Sequence, residues 1–344
     1  MNSKPSIWVD FENAPHVWVL SPIIRFLQER GYPLILTARD FSYTVGLCRR
    51  LGYDAQVIGL SGPGSNRVSR VWRVLDRASR LYMRLLRTRK RVGLALSHGS
   101  RSQTLAGHYL GIPVVSLDDY EFSDQSLVRF VDRLLVPFPI PRDIWGRYSD
   151  RVSHYPGLKE ELYLCGFRQD PSGSGAWGRP DQIKVLFRCE SRFAHYHSAQ
   201  TAIMQGAILR HLGQHPGVFL VLLPRDNLQA KTLLDFCAQH GVACKVPGQV
   251  LDGPSLIWDM DLVISGGGTM AREAAVLGVP SYSFFAGQWG AVDRYLQTQG
   301  RLVQLADVED LEKIVLKQRT RLPVSVSNHA LDFVTDLIQS IITR

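Results

Sequence analysis

The chain has 344 residues, of which 45% are hydrophobic, and it carries a formal net charge of +9 at pH 7. It contains no apolar run of the roughly 18 residues that a membrane-spanning helix needs, and its five cysteines lack the spacing of a zinc site or a disulfide framework. Because residues 1–15 also lack the basic start and apolar stretch of a signal peptide, we expect a cytoplasmic protein of two folded domains.

The first half of the chain alternates between short apolar runs and longer amphipathic stretches. The runs predict strands at 7–9, 33–37, 55–58, 93–97 and 114–117, and the stretches predict helices at 17–30, 43–51, 67–91 and 102–110. Strands that alternate with helices in this way are typical of a doubly wound parallel sheet. The sequence therefore predicts a Rossmann-like α/β domain over residues 1–168.

Polar side chains lie after three of these strands. His16 comes after the first strand, His98 after the fourth, and Asp118 and Asp119 after the fifth. Ligands of doubly wound sheets bind at the carboxyl ends of the strands, and histidine is the side chain that titrates nearest neutral pH. His16 and His98 are therefore candidates for a catalytic base, with a structural role as the alternative. Asp118 and Asp119 could orient a substrate or cap the next helix.

The predicted helix at 67–91 contains nine arginines and one lysine. Seven of the arginines follow three-four spacing, which places them on one helical face, while apolar residues fall on the opposite face. The arginines are Arg70, Arg73, Arg77, Arg80, Arg84, Arg87 and Arg91, and the apolar residues are Val71, Leu75, Ala78, Tyr82 and Leu85. Such a face suits a solvated surface helix or peripheral contact with an anionic membrane. No motif of nucleic-acid-binding proteins accompanies it, so we expect no nucleic-acid partner.

A stretch rich in Gly, Pro and Ser at 169–182 predicts a linker, after which the alternation of strands and helices starts again. Strands are predicted at 184–187, 218–223, 242–245, 262–264 and 281–284, and helices at 199–212, 228–240, 269–277, 291–299 and 329–342. The sequence thus predicts a second Rossmann-like domain over 183–328 and a C-terminal helix within 329–344. Two such domains are expected to face a cleft that holds the ligand.

Residues 261–280 combine an apolar strand, a glycine turn and the start of a helix. The turn consists of Ser265, Gly266, Gly267, Gly268 and Thr269, and glycines let backbone N–H groups approach an anion at the positive end of a helix. One turn later, Glu273 could accept hydrogen bonds from a ribose. The spacing is neither that of a P-loop nor that of a dinucleotide fingerprint, and a turn that only packs the strand against the helix is the alternative.

Three charged residues follow strands of the second half. Arg188 and Glu190 come after the strand at 184–187, and Arg225 comes after the strand at 218–223. A guanidinium group can bind a diphosphate through its planar fork, whereas a surface arginine that only caps its loop is the alternative. Arg188, Glu190 and Arg225 therefore join the glycine turn as candidate donor-binding residues.

Several of these segments together resemble a known family. They are Trp8-Val-Asp10, Ala14-Pro-His-Val17, Leu36-Thr-Ala-Arg39, Ser97-His-Gly-Ser100, the segment from Ser265 to Ala275, and Gly290-Ala-Val-Asp-Arg-Tyr295. The chain resembles the domain-of-unknown-function family 354, which looks like the GT-B glycosyltransferases and the non-hydrolysing UDP-N-acetylglucosamine 2-epimerases. The resemblance implies that 266–269 hold a diphosphate and that Glu273 binds the ribose. Residues 12–16 lack the glycines that GT-B enzymes of the lipid-linked-sugar type carry before this histidine.

We therefore expect a GT-B-like glycosyltransferase that moves a sugar from a nucleoside-diphosphate sugar to an acceptor hydroxyl, in surface polysaccharide or glycolipid synthesis. No metal or other cofactor is expected, and the enzyme is expected in the cytoplasm, with peripheral contact at the inner membrane face. One alternative is an epimerase that uses acid and base groups among Asp118, Glu121, Glu190 and His195. The other is a non-catalytic nucleotide-sugar-binding protein.

Overall fold

The structure, a computed structural model, describes residues 4–41, 43–60, 67–169, 177–190, 199–248, 252–322 and 324–343. The chain forms two compact units: unit 1 comprises Met1–Tyr163 and Ser327–Arg344, and unit 2 comprises Leu164–Val326. Residues 170–176, half of the linker predicted at 169–182, lie outside the described residues, as do His195 and its neighbours at 191–198. The C-terminal helix belongs to unit 1.

Unit 1 is built on a parallel sheet of seven strands in the order β3-β2-β1-β4-β5-β6-β7. The strands are β1 (Ser6–Phe11), β2 (Leu34–Ala38), β3 (Gln56–Val57), β4 (Val92–His98), β5 (Val114–Leu117), β6 (Arg133–Pro137) and β7 (Val152–Tyr155). The helices are α1 (Ala14–Glu29), α2 (Thr44–Arg50), α3 (Arg67–Leu85), α4 (Arg101–Leu110), α5 (Lys159–Leu164), which crosses into unit 2 at its last residue, and the C-terminal helix (His329–Ile342).

The side chains of β1 alternate between the two faces of this sheet. Ile7, Val9 and Phe11 pack in the hydrophobic core that α1 and the C-terminal helix cover. Trp8 and Asp10 point to the other face, where the Gln103 side chain of α4 donates to the Trp8 carbonyl and Arg77 of α3 pairs with Asp10. Strand β1 is therefore buried on both faces, as expected of a central strand in a parallel sheet.

Unit 2 repeats the arrangement with six parallel strands in the order β10-β9-β8-β11-β12-β13. The strands are β8 (Ile183–Arg188), β9 (Val218–Leu223), β10 (Cys244–Lys245), β11 (Leu262–Ser265), β12 (Ser281–Ser283) and β13 (Val303–Gln304). The helices are α6 (Ala199–Gly213), α7 (Asn227–Gln239), α8 (Gly253–Asp259), α9 (Gly268–Val276) and α10 (Ala291–Thr298), and the C-terminal helix is α11. The prediction of two Rossmann-like doubly wound sheets is therefore confirmed.

The sequence analysis did not predict several strands and helices of the two units. Strands β6, β7 and β13 and helices α5 and α8 were not predicted. Strand β6 ends in the proline-rich segment 137–141, which reads as a loop, and β13 has two residues, too few to show a period. Among the described residues, no helix is long and apolar enough to cross a membrane.

Helix α3 differs from the prediction in its length and in its faces. It ends at Leu85, so Arg87 and Arg91 lie beyond it and the seven arginines do not form one helical stripe. Arg77 is only 2% exposed, and the expectation that it belongs to a solvated arginine face is wrong. The predicted apolar face is also divided, because Ala78 and Leu85 are buried whereas Val71 and Leu75 are exposed. Because α3 packs against the sheet and α4, the face that it buries differs from the apolar face that the residue spacing predicts.

Candidate functional site

The glycine turn of unit 2 lies where the order of the sheet reverses. Strands β8 and β11 are neighbours in the middle of the sheet, and Ser265 at the end of β11 pairs with Arg188 at the end of β8. The connections from these two strands run to opposite sides of the sheet, which opens a crevice at their carboxyl ends. Residues 265–269 therefore occupy the position at which doubly wound sheets bind ligands.

Gly266 and Gly267 have different structural roles in this turn. A Cβ atom on Gly266 would lie 2.8 Å from the backbone nitrogen of Glu190 and 2.8 Å from a ring carbon of Phe284, so only glycine fits the close approach of these segments. Gly267 is the N-cap of α9, and its amide donates to Ser265 Oγ at 3.1 Å. Among the described residues, no side chain caps the helix. The backbone N–H groups of its first turn are therefore available to an anion.

Arg225 lies directly over the turn. A Cβ atom on Gly267 would come 3.1 Å from Arg225 Nη2, and Arg225 Nε donates to the carbonyl oxygen of Cys189 at 3.2 Å. The backbone amide of Arg225 donates to Gln229 at 2.7 Å, which fixes the start of this loop. A guanidinium group and the positive end of α9 therefore meet at the same point, which is an arrangement that favours phosphate.

The other predicted donor residues are more enclosed. Arg188 Nη1 donates to the carbonyl oxygens of Leu223 and Pro224, so part of its fork holds the end of β9. Glu190 is buried behind the turn, and Glu273 is 8% exposed on α9. Thr269 is half-buried at the start of that helix.

The sequence analysis did not predict a buried ion pair that shapes this region. Arg272 of α9 and Asp293 of α10 are both buried and form two hydrogen bonds, at 2.7 and 2.8 Å. Asp293 also accepts from the amide of Gly290, the N-cap of α10. The pair holds α9 and α10 together and so fixes the direction of the helix whose N-terminus forms the glycine turn.

Unit 1 brings a cluster of titratable side chains to the carboxyl ends of its own strands. His16 in the first turn of α1 and His98 at the end of β4 have ring centroids 4.4 Å apart. Asp119, which follows β5, lies 3.2 Å from His98 Nε2 and 2.7 Å from Lys159 Nζ of α5. Sequence reasoning named His16, His98 and Asp119 but missed Lys159, because it had not predicted the strand β7 that precedes this lysine.

The two histidines of this cluster have different surroundings. His16 is half-buried, and its enclosed Nδ1 has no hydrogen-bond partner among the described residues. Burial, followed by the charges of His98 and Lys159, holds the pKa of His16 well below its ordinary value of 6.5. His16 is therefore neutral at neutral pH. His98 instead points its Nε2 atom at the Asp119 carboxylate.

Asp118 has a different environment from Asp119. Its Oδ1 accepts from the amides of Asp119 and Tyr120, and its Oδ2 accepts from Ser123 Oγ at 2.7 Å. Burial, and then the neighbouring Asp119 carboxylate, raise the pKa of Asp118. Both oxygens hold the turn after β5, so Asp119 and not Asp118 is placed to act together with His98.

A third group of polar residues lies beneath this cluster and is closed to solvent. Arg77 of α3 makes two hydrogen bonds to Asp10, at 2.7 and 2.8 Å, and one to Glu12 at 3.1 Å. Thr37 and Ser100 donate to the two oxygens of Asp10 at 2.5 and 2.6 Å. Every partner of Asp10 is thus a group of unit 1, which indicates a structural role.

Solved structures share this fold over nearly the whole chain. The crystal structure of Methanocaldococcus jannaschii UDP-GlcNAc 2-epimerase in complex with UDP-GlcNAc and UDP has a TM-score of 0.70 and 13% identity, and the match covers 97% of this chain and 99% of that one. The glycotransferase of kitacinnamycin has a TM-score of 0.57 and 15% identity, with 99% and 95% covered. These identities establish a likeness of fold. The class that the fold defines is the GT-B type of two Rossmann-like domains.

The chain belongs to the family described as "Protein of unknown function (DUF354)", whose sequence model matches residues 5–342. The resemblance drawn from the sequence motifs is therefore confirmed. A relative in Methanocaldococcus jannaschii, the uncharacterized protein MJ0665, is 23% identical over 326 residues, which cover 89% of each chain.

Proposed function

We propose that the protein transfers a sugar from a nucleoside-diphosphate sugar to an acceptor hydroxyl. The observation that carries this proposal is the meeting of Arg225 and the N-terminus of α9, which no described side chain caps, at the glycine turn, where the order of the unit 2 sheet reverses. Two positive features at one point suit a diphosphate leaving group better than a neutral ligand. A solved structure of the same fold contains UDP-GlcNAc and UDP, which supports this class of donor.

The donor is proposed to bind through unit 2. The backbone N–H groups at the start of α9 and the Arg225 guanidinium contact the diphosphate, and Glu273 contacts the ribose. Negative charge grows on the diphosphate as its bond to the sugar breaks, and fixed N–H donors stabilise that charge without reorganisation. Arg188, whose fork holds the carbonyl oxygens of residues 223 and 224, positions the end of β9 next to this site.

His98 is the proposed base. Its Nε2 faces Asp119, so Nδ1 is the nitrogen that takes the proton of the acceptor hydroxyl as the oxygen bonds to the sugar carbon. Asp119 stabilises the resulting imidazolium, and Lys159, 2.7 Å from Asp119, holds that carboxylate in place. His16 packs on the His98 ring and fixes its orientation.

Incubation with the donor alone distinguishes this proposal from its two alternatives. A transferase releases nucleoside diphosphate slowly without an acceptor and leaves the sugar configuration unchanged. An epimerase on this fold inverts the sugar at one carbon, which NMR detects directly, and a binding protein does neither. Epimerisation of UDP-GlcNAc by the parent protein would overturn the proposal. That the acceptor belongs to surface polysaccharide or glycolipid synthesis stays a prediction.

Gly267→Val tests the donor site itself. The backbone of Gly267 is extended (φ −139, ψ 146), so valine fits the fold, but its side chain would displace Arg225 and fill the turn. Isothermal titration with UDP and with UDP-sugars should show binding to the parent and none to this variant. Gly253→Val is the matched control, because Gly253 also lies at the start of a helix of unit 2 and a Cβ atom there would meet no atom of the described residues within 4 Å. Equal donor affinity in a folded Gly267→Val protein would refute the site.

A further inference from the structure

Helix α3 carries a row of exposed apolar side chains. Val68, Trp72 and Met83 are 77%, 64% and 67% exposed, and Val71 and Leu75 are each about half exposed. At 100° per residue these five side chains fall within a sector of about 120°. An exposed apolar row on a folded protein marks an interaction surface. The five residues are called the apolar row below.

Exposed cations lie beside the apolar row. Arg80 and Arg84 occupy the adjoining sector, and four further basic residues, Arg87, Arg89, Lys90 and Arg91, are exposed just past the end of the helix. Residues 67–91 contain ten basic residues and one acidic residue, Asp76, so this segment alone accounts for a charge equal to the +9 of the whole chain. Six of these basic residues are exposed near the apolar row, whereas Arg77 is buried and paired with Asp10; the six are Arg80, Arg84, Arg87, Arg89, Lys90 and Arg91.

The scaffold of unit 1 holds α3 in a fixed position. Buried Arg77 is paired with Asp10 of β1, and Ser102 of α4 donates to the carbonyl oxygen of Val74. Leu81 and Leu85 are buried on the same side of the helix as Arg77. The apolar row is thus presented by a helix whose other face is anchored in the core.

We propose that α3 docks the protein on an anionic phospholipid bilayer. The apolar row would enter the boundary between headgroups and acyl chains, with Trp72 at the depth that tryptophan favours, while the arginines contact lipid phosphates. An anionic bilayer satisfies both features at once. Nucleic acid would leave the apolar row in water, and an apolar protein surface would not need six exposed cations beside it. This docking is independent of the proposed sugar transfer.

Sedimentation with vesicles tests the proposal. The parent should pellet with vesicles that contain phosphatidylglycerol at low salt, be released at high salt, and stay in the supernatant with phosphatidylcholine alone, because salt screens exposed charge. Changing Arg80, Arg84 and Arg87 to Gln should lower the partition coefficient about fivefold for each residue and about a hundredfold together. A variant with Val71→Ser and Trp72→Ser should also stay in the supernatant.

Two controls make the result specific. Ile203→Ser with Leu228→Ser removes exposed apolar residues of α6 and α7 and should leave vesicle binding unchanged. Trp72 is the only exposed tryptophan of the seven, all of which lie in the described ranges, so brominated lipid should quench its fluorescence. Trp72→Phe should abolish the quenching but keep sedimentation.

Three results would overturn the docking. The parent could stay in the supernatant with anionic vesicles at low salt, or the control variant on α6 and α7 could lose binding as completely as the variant of the apolar row. Analytical ultracentrifugation could also show a dimer that Val71→Ser with Trp72→Ser converts to a monomer, while the parent binds no vesicle. That last outcome would assign the apolar row to contact between two copies of the chain.

Discussion

Removal of the Arg77 side chain should destabilise unit 1 strongly. Arg77→Ala leaves Asp10, which is 0% exposed, without the two hydrogen bonds of its guanidinium partner and leaves Glu12 close to it. Although burial disfavours its charge, the Asp10 and Glu12 carboxylates hold the pKa of the Arg77 guanidinium above its ordinary value. Breaking a buried ion pair by removing one partner costs about 3–5 kcal/mol. The hydrogen bonds from Thr37 and Ser100 to Asp10 remain, so we expect the lower half of that range.

Urea denaturation followed by circular dichroism measures this loss. With a denaturant slope of about 2 kcal/mol/M, a loss of about 3–4 kcal/mol lowers the midpoint of the unit 1 transition by roughly 1.5–2 M. Arg80→Ala is the matched control on the same helix, because Arg80 is exposed and its pair with Asp76 contributes at most about 1 kcal/mol.

A double variant tests the cause. Asp10→Asn in the Arg77→Met background removes both charges, so it should be more stable than the sum of the two single changes predicts. Arg77→Ala with a midpoint no lower than that of Arg80→Ala would refute the reasoning, because the buried pair would then contribute no more than an exposed one.

Three further predictions concern the candidate sites. His98→Ala should lower turnover by about a hundredfold or more while isothermal titration shows unchanged donor binding, and full activity of this variant would move the base elsewhere. Glu273→Ala should weaken the binding of a ribonucleotide donor by about 1–3 kcal/mol in the same titration, and unchanged affinity would leave Glu273 a structural residue. Because the pKa of His16 is lowered in the folded state, the unfolded chain binds this proton first, so stability should fall as the pH drops below 6.5, by up to about 1.4 kcal/mol per pH unit. Urea titrations at several pH values should show a shallower decline for His16→Asn, and an equal slope would contradict the neutral state of His16.

The glycine turn shows how much of the donor site could be predicted. A buried strand, three glycines and a helix start are local features, and the observed β11, turn and α9 follow them closely. The hydrogen bonds of Arg188 to residues 223 and 224 depend on strand pairing across 35 residues of chain, which no local pattern reveals. The approach of Arg225 to Gly267 has the same origin, since it joins the ends of β9 and β11.

The cluster of unit 1 was predicted in part for the same reason. His16, His98 and Asp119 each follow a strand that has a clear apolar run, so their positions at one edge of the sheet could be expected. Lys159 is 40 residues from Asp119 and follows β7, whose four residues carry too weak a pattern to be recognised. The hydrophobic periodicity of the sequence therefore could not identify Lys159 as a member of the cluster.

Local periodicity determined the alternation of strands and helices, the class of fold and the place of the glycine turn, because these depend on residues that are close in sequence. Only the tertiary structure decided which side of α3 is buried. Arg77 and Arg80 have the same side chain and both belong to the series of arginines with three-four spacing, yet Arg77 lies in the core and Arg80 in solvent. The difference arises because Asp10, 67 residues away on β1, offers Arg77 a buried carboxylate, and a charged side chain enters a core only where such a partner exists.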